Sequence, residues 1–312
     1  MLRSRLSTIY SLASLAIAIG LGGTLQHPGT LRKSIRILFS LIALTFAASA
    51  LVRPTETVNV REPKLGIPLR ARDSLTGSQF AQYISQMSAQ QREEAIQQEI
   101  LKGNVPEFLR KLVPVELHSD SPAGNTLTVT IFVAPDYLAI GSDADFLRIP
   151  MNLHTALAIA DHFGFVLPTK KMVDAIYLQS HYHLAPQPLP AGPQMTSTAY
   201  YLSHNQMIEK QADSVGLRLG ELVAGDKKDV VMTNLLSRRM GRIAIYGWHR
   251  GPGQPIQPLS TVHGADYADY SHGIRVVSGT ALIGGKPRSI YDILQDPSAA
   301  KIVSDEGSIR SR

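Results

Sequence analysis

Residues 242–277 read RIAIYGWHRGPGQPIQPLSTVHGADYADYSHGIRVV. The stretch holds three of the ten histidines (His249, His263, His272), the single tryptophan (Trp248), two aspartates (Asp266, Asp269) and three tyrosines. Residues 242–249 and 274–277 are short apolar runs bounded by turn residues, the pattern of buried strands. Between them Gly and Pro break the chain into loops, where a rigid scaffold commonly presents functional groups. The expectation is sheet in this half of the chain, with a polar site at its strand ends.

Working outward, residues 230–235 and 242–249 read as a β-hairpin joined through residues 237–241. Residues 196–202 suit a short strand, with Ser203 capping a helix over residues 204–214. Further upstream, residues 127–133 (LTVTIFV) alternate and are β-branched, so they form a strand, with residues 137–140 returning as its partner. Helical spacing dominates before that. Phe80, Ile84 and Met87 form one stripe, and Ser88 with Gln91 forms a capping box for a helix that stops at Gly103. Residues 107–112 form a short helix. Asn152 caps residues 153–163 with Gly164 as the stop, and Thr169 caps residues 170–179. Residues 289–294 form a helix, and the tail after Pro297 is expected to fray. Helices first and strands later predict an α+β fold, with a helical N-terminal half and mainly antiparallel sheet in the C-terminal half. Residues 53–76 are polar and patternless, a linker. Residues 77–312 form a single domain, with the Pro-rich residues 181–193 marking where two lobes would part.

The 312-residue chain carries a formal charge of +6, but the excess is local. Residues 1–50 hold Arg3, Arg5, Arg32, Lys33 and Arg36 and no acidic residue, leaving 26 basic and 25 acidic residues beyond. A near-neutral body carries no electrostatic footprint for nucleic acid. Two apolar segments, residues 9–25 and 37–52, fall short of the ~20 residues that comfortably span a bilayer. The second has the form of a signal peptide: a basic region at residues 32–36, an apolar core, and Ala48-Ser49-Ala50 as a cleavage site. The expectation is a secreted or periplasmic protein. The alternative is anchorage to the inner membrane through residues 1–52, with the membrane touched only there. The chain has no cysteine, which excludes thiol nucleophiles and cysteine-ligated metals.

Three chemistries suit the histidine stretch. The first is a hydrolase with a His/Asp centre acting on an extracellular polymer or cell-wall material. Neighbouring residues on a strand point oppositely, so Ser271 and His272 do not form a dyad there, and His249 is the better base for Ser271. Asp269 or Asp266 would orient a ring. Lys228 or Arg275 would stabilise an oxyanion, and Asp229 belongs to the same charged turn. No G-x-S-x-G elbow is present. The second chemistry is a divalent metal such as zinc on His249, His263 and His272 with Asp266 or Asp269; no H-E-x-x-H motif accompanies it. The third is a non-catalytic envelope module whose Trp248, Tyr246, Tyr267 and Tyr270 stack on saccharide or hold peptide. His204 and Arg275 join those aromatics as candidate substrate contacts. Two smaller motifs, Asp143-x-Asp145 and His181-x-His183, have cation-binding spacing, but solvated loop roles suit them better.

Ser271-His272-Gly273-Ile274-Arg275, preceded by His263-Gly264, resembles the signature of the L,D-transpeptidases, which cross-link peptidoglycan. That family places a cysteine directly after Ser-His-Gly, where this chain has Ile274, so thiol-based transfer is impossible here. The segments KMVDAIY, KKDVVMTNLL, AIYGWH, GQPIQPL and DYSHGIR together are similar to a group of exported proteins with no assigned activity. That similarity implies that residues 170–294 act as one unit.

Overall fold

The computed structural model describes residues 66–119 and 126–310. The signal-like residues 32–50, with Ala48-Ser49-Ala50, lie outside the described residues. Residues 113–118 (β1) and 128–133 (β2) pair antiparallel, with Val113 opposite Val133 and His118 opposite Thr128. β2 is the spine of a six-stranded sheet whose other members are Phe165–Val166, Val277–Ser278, Thr280–Ile283 and Lys286–Ser289. A second sheet of four strands runs in the order Pro255–Ser260, Ile245–His249, Lys228–Val230, His272–Gly273. Its last pair is parallel, with His272 beside Lys228 and Gly273 beside Asp229. Two-stranded pairs at Ala139–Ser142 with Asp145–Arg148, and at Tyr182–His183 with Val223–Ala224, complete the strands.

Seven α-helices are described, and they are dispersed along the chain. They are α1 Gly77–Tyr83, α2 Ala89–Leu101, α3 Leu153–Phe163, α4 Lys170–Gln179, α5 Thr198–Ser214, α6 Ile290–Gln295 and α7 Ala300–Val303. This overturns the expected division into a helical N-terminal half and a sheet-rich C-terminal half. β1 to the Asp145–Arg148 strand all precede α3, and the longest helix, α5, stands between strands. The sequence pattern misled at α5 because Ala199-Tyr200-Tyr201-Leu202 is aromatic and looks strand-like. The buried positions Tyr201, His204, Asn205, Ile208 and Ala212 recur at helical spacing, and Ser197, not Ser203, caps the helix through the Tyr200 amide. Two hairpins also differ. Residues 137–140 do not return along β2; Ala139–Ser142 pairs with Asp145–Arg148 instead. Residues 234–238 form a 3-10 helix, so the partner of Ile245–His249 is the shorter strand Lys228–Val230.

Where a cap decided the boundary, local chemistry prevailed. Ser88 and Gln91 make the reciprocal capping box of α2. Asn152 and Thr169 cap α3 and α4 through the amides of Thr155 and Met172, and Gly164 ends α3 with φ 72°. The main apolar core draws on residues from Ile67 to Ile309, including Ile131, Val133, Ile274 and Val277 of the larger sheet region. Among the described residues no helix is long and apolar enough to cross a membrane.

Candidate functional site

Lys228 and Asp229 occupy successive positions of one strand and therefore project to opposite faces of the four-stranded sheet. Lys228 faces Trp248, its Nζ lying 5.1 Å from the ring centre, and His272 is its neighbour on the parallel strand. On the opposite face, Asp229 accepts a hydrogen bond from Tyr137 Oη at 3.0 Å and lies 3.9 Å from Arg275 Nε.

His249 belongs with Asp229 rather than with His272. Its Nε2 is 3.1 Å from Asp174 Oδ1, its ring stacks on Tyr177, and Tyr246 donates to the same Asp174 oxygen at 2.7 Å. Tyr246 and His249 are three residues apart, a separation that puts side chains on opposite faces of a regular strand. Trp248, at φ 55°, and Gly247, at φ 106°, reset the alternation so that both face α4. Trp248 is the one non-glycine residue with positive φ among the described residues, a conformation costly for a bulky side chain. His249 is consequently not a base for Ser271, and the expected convergence of His249 and His272 does not occur.

The His272 side of the sheet gathers a different set. His272 is fully buried, and neither ring nitrogen has a hydrogen-bond partner. Asp269 Oδ2 stands 4.0 Å from His272 Nε2. The Asp269 carboxylate is held by its neighbours: Ser271 donates to Oδ1 from both its amide (2.8 Å) and its hydroxyl (2.5 Å), and Tyr267 Oη donates to Oδ2 at 3.2 Å. His263 stacks on Tyr267 with ring centres 4.2 Å apart, and both rings lie near His272, at 6.3 and 5.7 Å. His263, Tyr267 and Lys228 are half-buried around the enclosed imidazole.

Burial pushes the His272 imidazole down to about 4; Asp269 opposes this and Lys228 adds to it. Near neutral pH the ring is therefore uncharged with a free lone pair. Burial raises the Asp269 carboxyl, but its neighbours outweigh this and hold it below the usual carboxylate range. Burial also lowers Lys228, with Asp269 pulling the other way.

A second charged layer lies beneath. Arg148 is fully buried and pairs with Asp136 at 2.7 Å and with Glu209. Lys227 donates to the Tyr270 carbonyl at 2.7 Å and approaches His204 Nδ1 at 3.3 Å. Asp226 is buried with neither carboxylate oxygen hydrogen-bonded. Burial, reinforced by Asp136, raises Asp226 to about 6. Burial raises Asp229 to about 7 against the pull of Arg275, and lowers Lys227 to about 8. Asp136, Tyr137, Arg148 and Asp174 carry no signal as site residues in the sequence, because all lie far in the chain from residues 226–229 and 249–275. Only the 90-residue jump between Tyr137 and Lys227, or the 75-residue jump between Asp174 and His249, creates their environments.

The remaining candidates are dispersed. Asp266 is exposed and faces His154 at 3.5 Å, away from His249. Among the described residues no group of three or more His, Cys, Asp or Glu is arranged to hold a metal ion. Trp248, Tyr246 and Tyr270 are buried to 5% exposure or less, so none offers an open stacking face. Arg275 donates to the Ala134 and Val223 carbonyls, tying segments together, and His204 is enclosed edge-on between Trp248 and Tyr270. Asp145 caps α1 through the Ser78 amide and Asp143 accepts from the Phe108 amide, which accounts for that motif structurally. His183 bonds the Tyr177 carbonyl while His181 faces Glu221, so their side chains do not converge. A separate cleft of about 390 Å³ opens between α5 and the Asp145–Arg148 strand, with Arg148 and Glu209 in its wall.

No protein-family model, curated protein or solved structure matches this chain.

Proposed function

We propose that the chain is an exported hydrolase whose acid–base group is His272, oriented by Asp269, acting on an ester or amide of an extracellular or cell-wall polymer. The observation that carries this reading is the enclosed His272 imidazole, with both nitrogens unpartnered beside a firmly held carboxylate. Unpaired buried polar groups are costly, and a functional site is one place where that cost is retained. A neutral imidazole takes a proton from water as the water oxygen attacks the substrate carbonyl carbon. Asp269 stabilises the imidazolium, and Lys228 faces the developing oxyanion. Collapse of the tetrahedral species breaks the bond to the leaving group, which receives the proton from His272. Ser271 anchors the carboxylate in this scheme rather than attacking, since its hydroxyl is already committed to Asp269.

Export rests on the signal-like residues 32–50 and is tested by N-terminal sequencing of the mature protein; cleavage after Ala50 is expected. Hydrolysis is tested by screening that protein on peptidoglycan fragments, acylated glycans and model esters. Turnover that survives His272→Ala undiminished removes His272 from the mechanism, and no turnover on any substrate class leaves the scaffold without a reaction.

A further inference from the structure

Residues 230–265 contain no acidic residue, yet they hold Arg238, Arg239 and Arg242 around Met240. The fold places this run beside residues 261–264. The Arg239 guanidinium donates to Thr261 Oγ1 at 3.1 Å, Arg242 donates to the Val262 carbonyl at 2.7 Å, and the Ile243 amide donates to the His263 carbonyl at 3.2 Å. Met240 is 90% exposed, the highest value among the large apolar residues described, and Val262 on the adjacent loop is 63% exposed. Leu235, on the preceding 3-10 helix, is also exposed, and Arg310 lines the same shallow hollow as Leu235 and Arg238. Among the described residues none of these four guanidinium groups is within ion-pair distance of a carboxylate. The nearby Glu306 is engaged by the Asn234 amide.

We propose that this face, the loops at residues 234–242 and 261–264, docks the folded protein onto an anionic phospholipid bilayer. Apolar side chains standing out of a ring of uncompensated arginines suit a headgroup boundary, where the apolar group enters the acyl region and each guanidinium meets a phosphate. A soluble polyanion would satisfy the arginines but leave Met240 and Val262 in water, which is why the bilayer is the occupant favoured. The contact is separate from any made by residues 1–52 and does not depend on His272 chemistry.

Because the chain lacks cysteine, a single reporter is available in the full-length protein. Met240→Cys, and independently Val262→Cys, is labelled with an environment-sensitive fluorophore. Leu178→Cys, at an exposed apolar position on α4, is the control. With vesicles containing phosphatidylglycerol, the labels at 240 and 262 should shift to the blue while the label at 178 stays unchanged. Pure phosphatidylcholine vesicles should leave all three in water. The shift should disappear in high salt and in R238Q/R239Q/R242Q, since each arginine near an anionic surface is worth about fivefold in partitioning. No shift at 240 and 262, an equal shift at 178, or an equal shift with neutral vesicles overturns the proposal. An equal shift with soluble polyphosphate also overturns it, in favour of a polyanion site.

Discussion

Nε2 of His272 stands 4.0 Å from Oδ2 of Asp269, three residues earlier, while the ring itself keeps no hydrogen bond. The separation is too long for a formed bond and short enough for the carboxylate to stabilise a proton on the ring. If His272 is the proposed base, this geometry leaves its ring free to take a proton. His272→Ala should cut turnover on a responsive substrate by ~10²–10⁴-fold, the usual worth of a positioned acid–base group. With the ring held near 4, the rate of the free enzyme should climb from acid pH and level off above that value. A profile flat down to pH 3 would remove His272 as the base.

His249 supplies the contrast. Its Nε2 already bonds Asp174, and its ring is stacked on Tyr177, so its role is structural. His249→Ala should cost ~1–3 kcal/mol in stability and leave turnover of the folded enzyme within a fewfold. A double-mutant cycle with Asp174→Ala, read from urea midpoints, should show coupling of ~0.5–3 kcal/mol.

Asp229 should make the fold less stable as pH rises. Its folded value, about 7, lies above the ordinary carboxyl value of 3.8, so folding takes up a proton between those limits. Its favourable contribution is complete below about 4 and is lost as pH climbs through about 7. Asp229→Asn should therefore gain on the wild type steadily from pH 4 to pH 8. His272 has the opposite sign. Its folded value is depressed from 6.5 to about 4, so the wild type loses stability as pH falls through that window, and His272→Gln should lose less. Urea midpoints across pH 4–8 measure both slopes, and parallel curves would contradict the burial argument.

Gly273 cannot be replaced cheaply. A Cβ there would lie 2.5 Å from the Tyr137 ring and 2.9 Å from Lys227 Cβ, neither of which ends in free space. Gly273→Ala should destabilise by ~1–3 kcal/mol through overpacking, visible as a lowered melting temperature.

Arg148 tests the buried charged layer. Removing it in Arg148→Met leaves Asp136 buried without its partner, a loss of ~3–5 kcal/mol. Glu209, partly exposed on the other side of the same guanidinium, should cost no more than ~1 kcal/mol as Glu209→Gln. Equal losses for the two would mean that the Asp136 contact is not the dominant one.

The sequence alone determined what depends on neighbours within one turn. The capping box at Ser88 and Gln91, the caps at Asn152 and Thr169, and the Gly164 stop were legible because the donor and acceptor lie within four residues. The polar density of residues 263–272 was legible too, and it holds His263, Tyr267, Asp269, Ser271 and His272 together in space. Only the tertiary structure decided which histidine joins that group. The positive φ of Trp248 turns His249 toward Asp174, and a parallel pairing brings His272 against Lys228 from 44 positions away in the chain. A strand's alternation is readable in its residues, but its partner and the face each residue meets are set by contacts between distant segments, as is the burial that moves His272, Asp226 and Asp229 from their ordinary values.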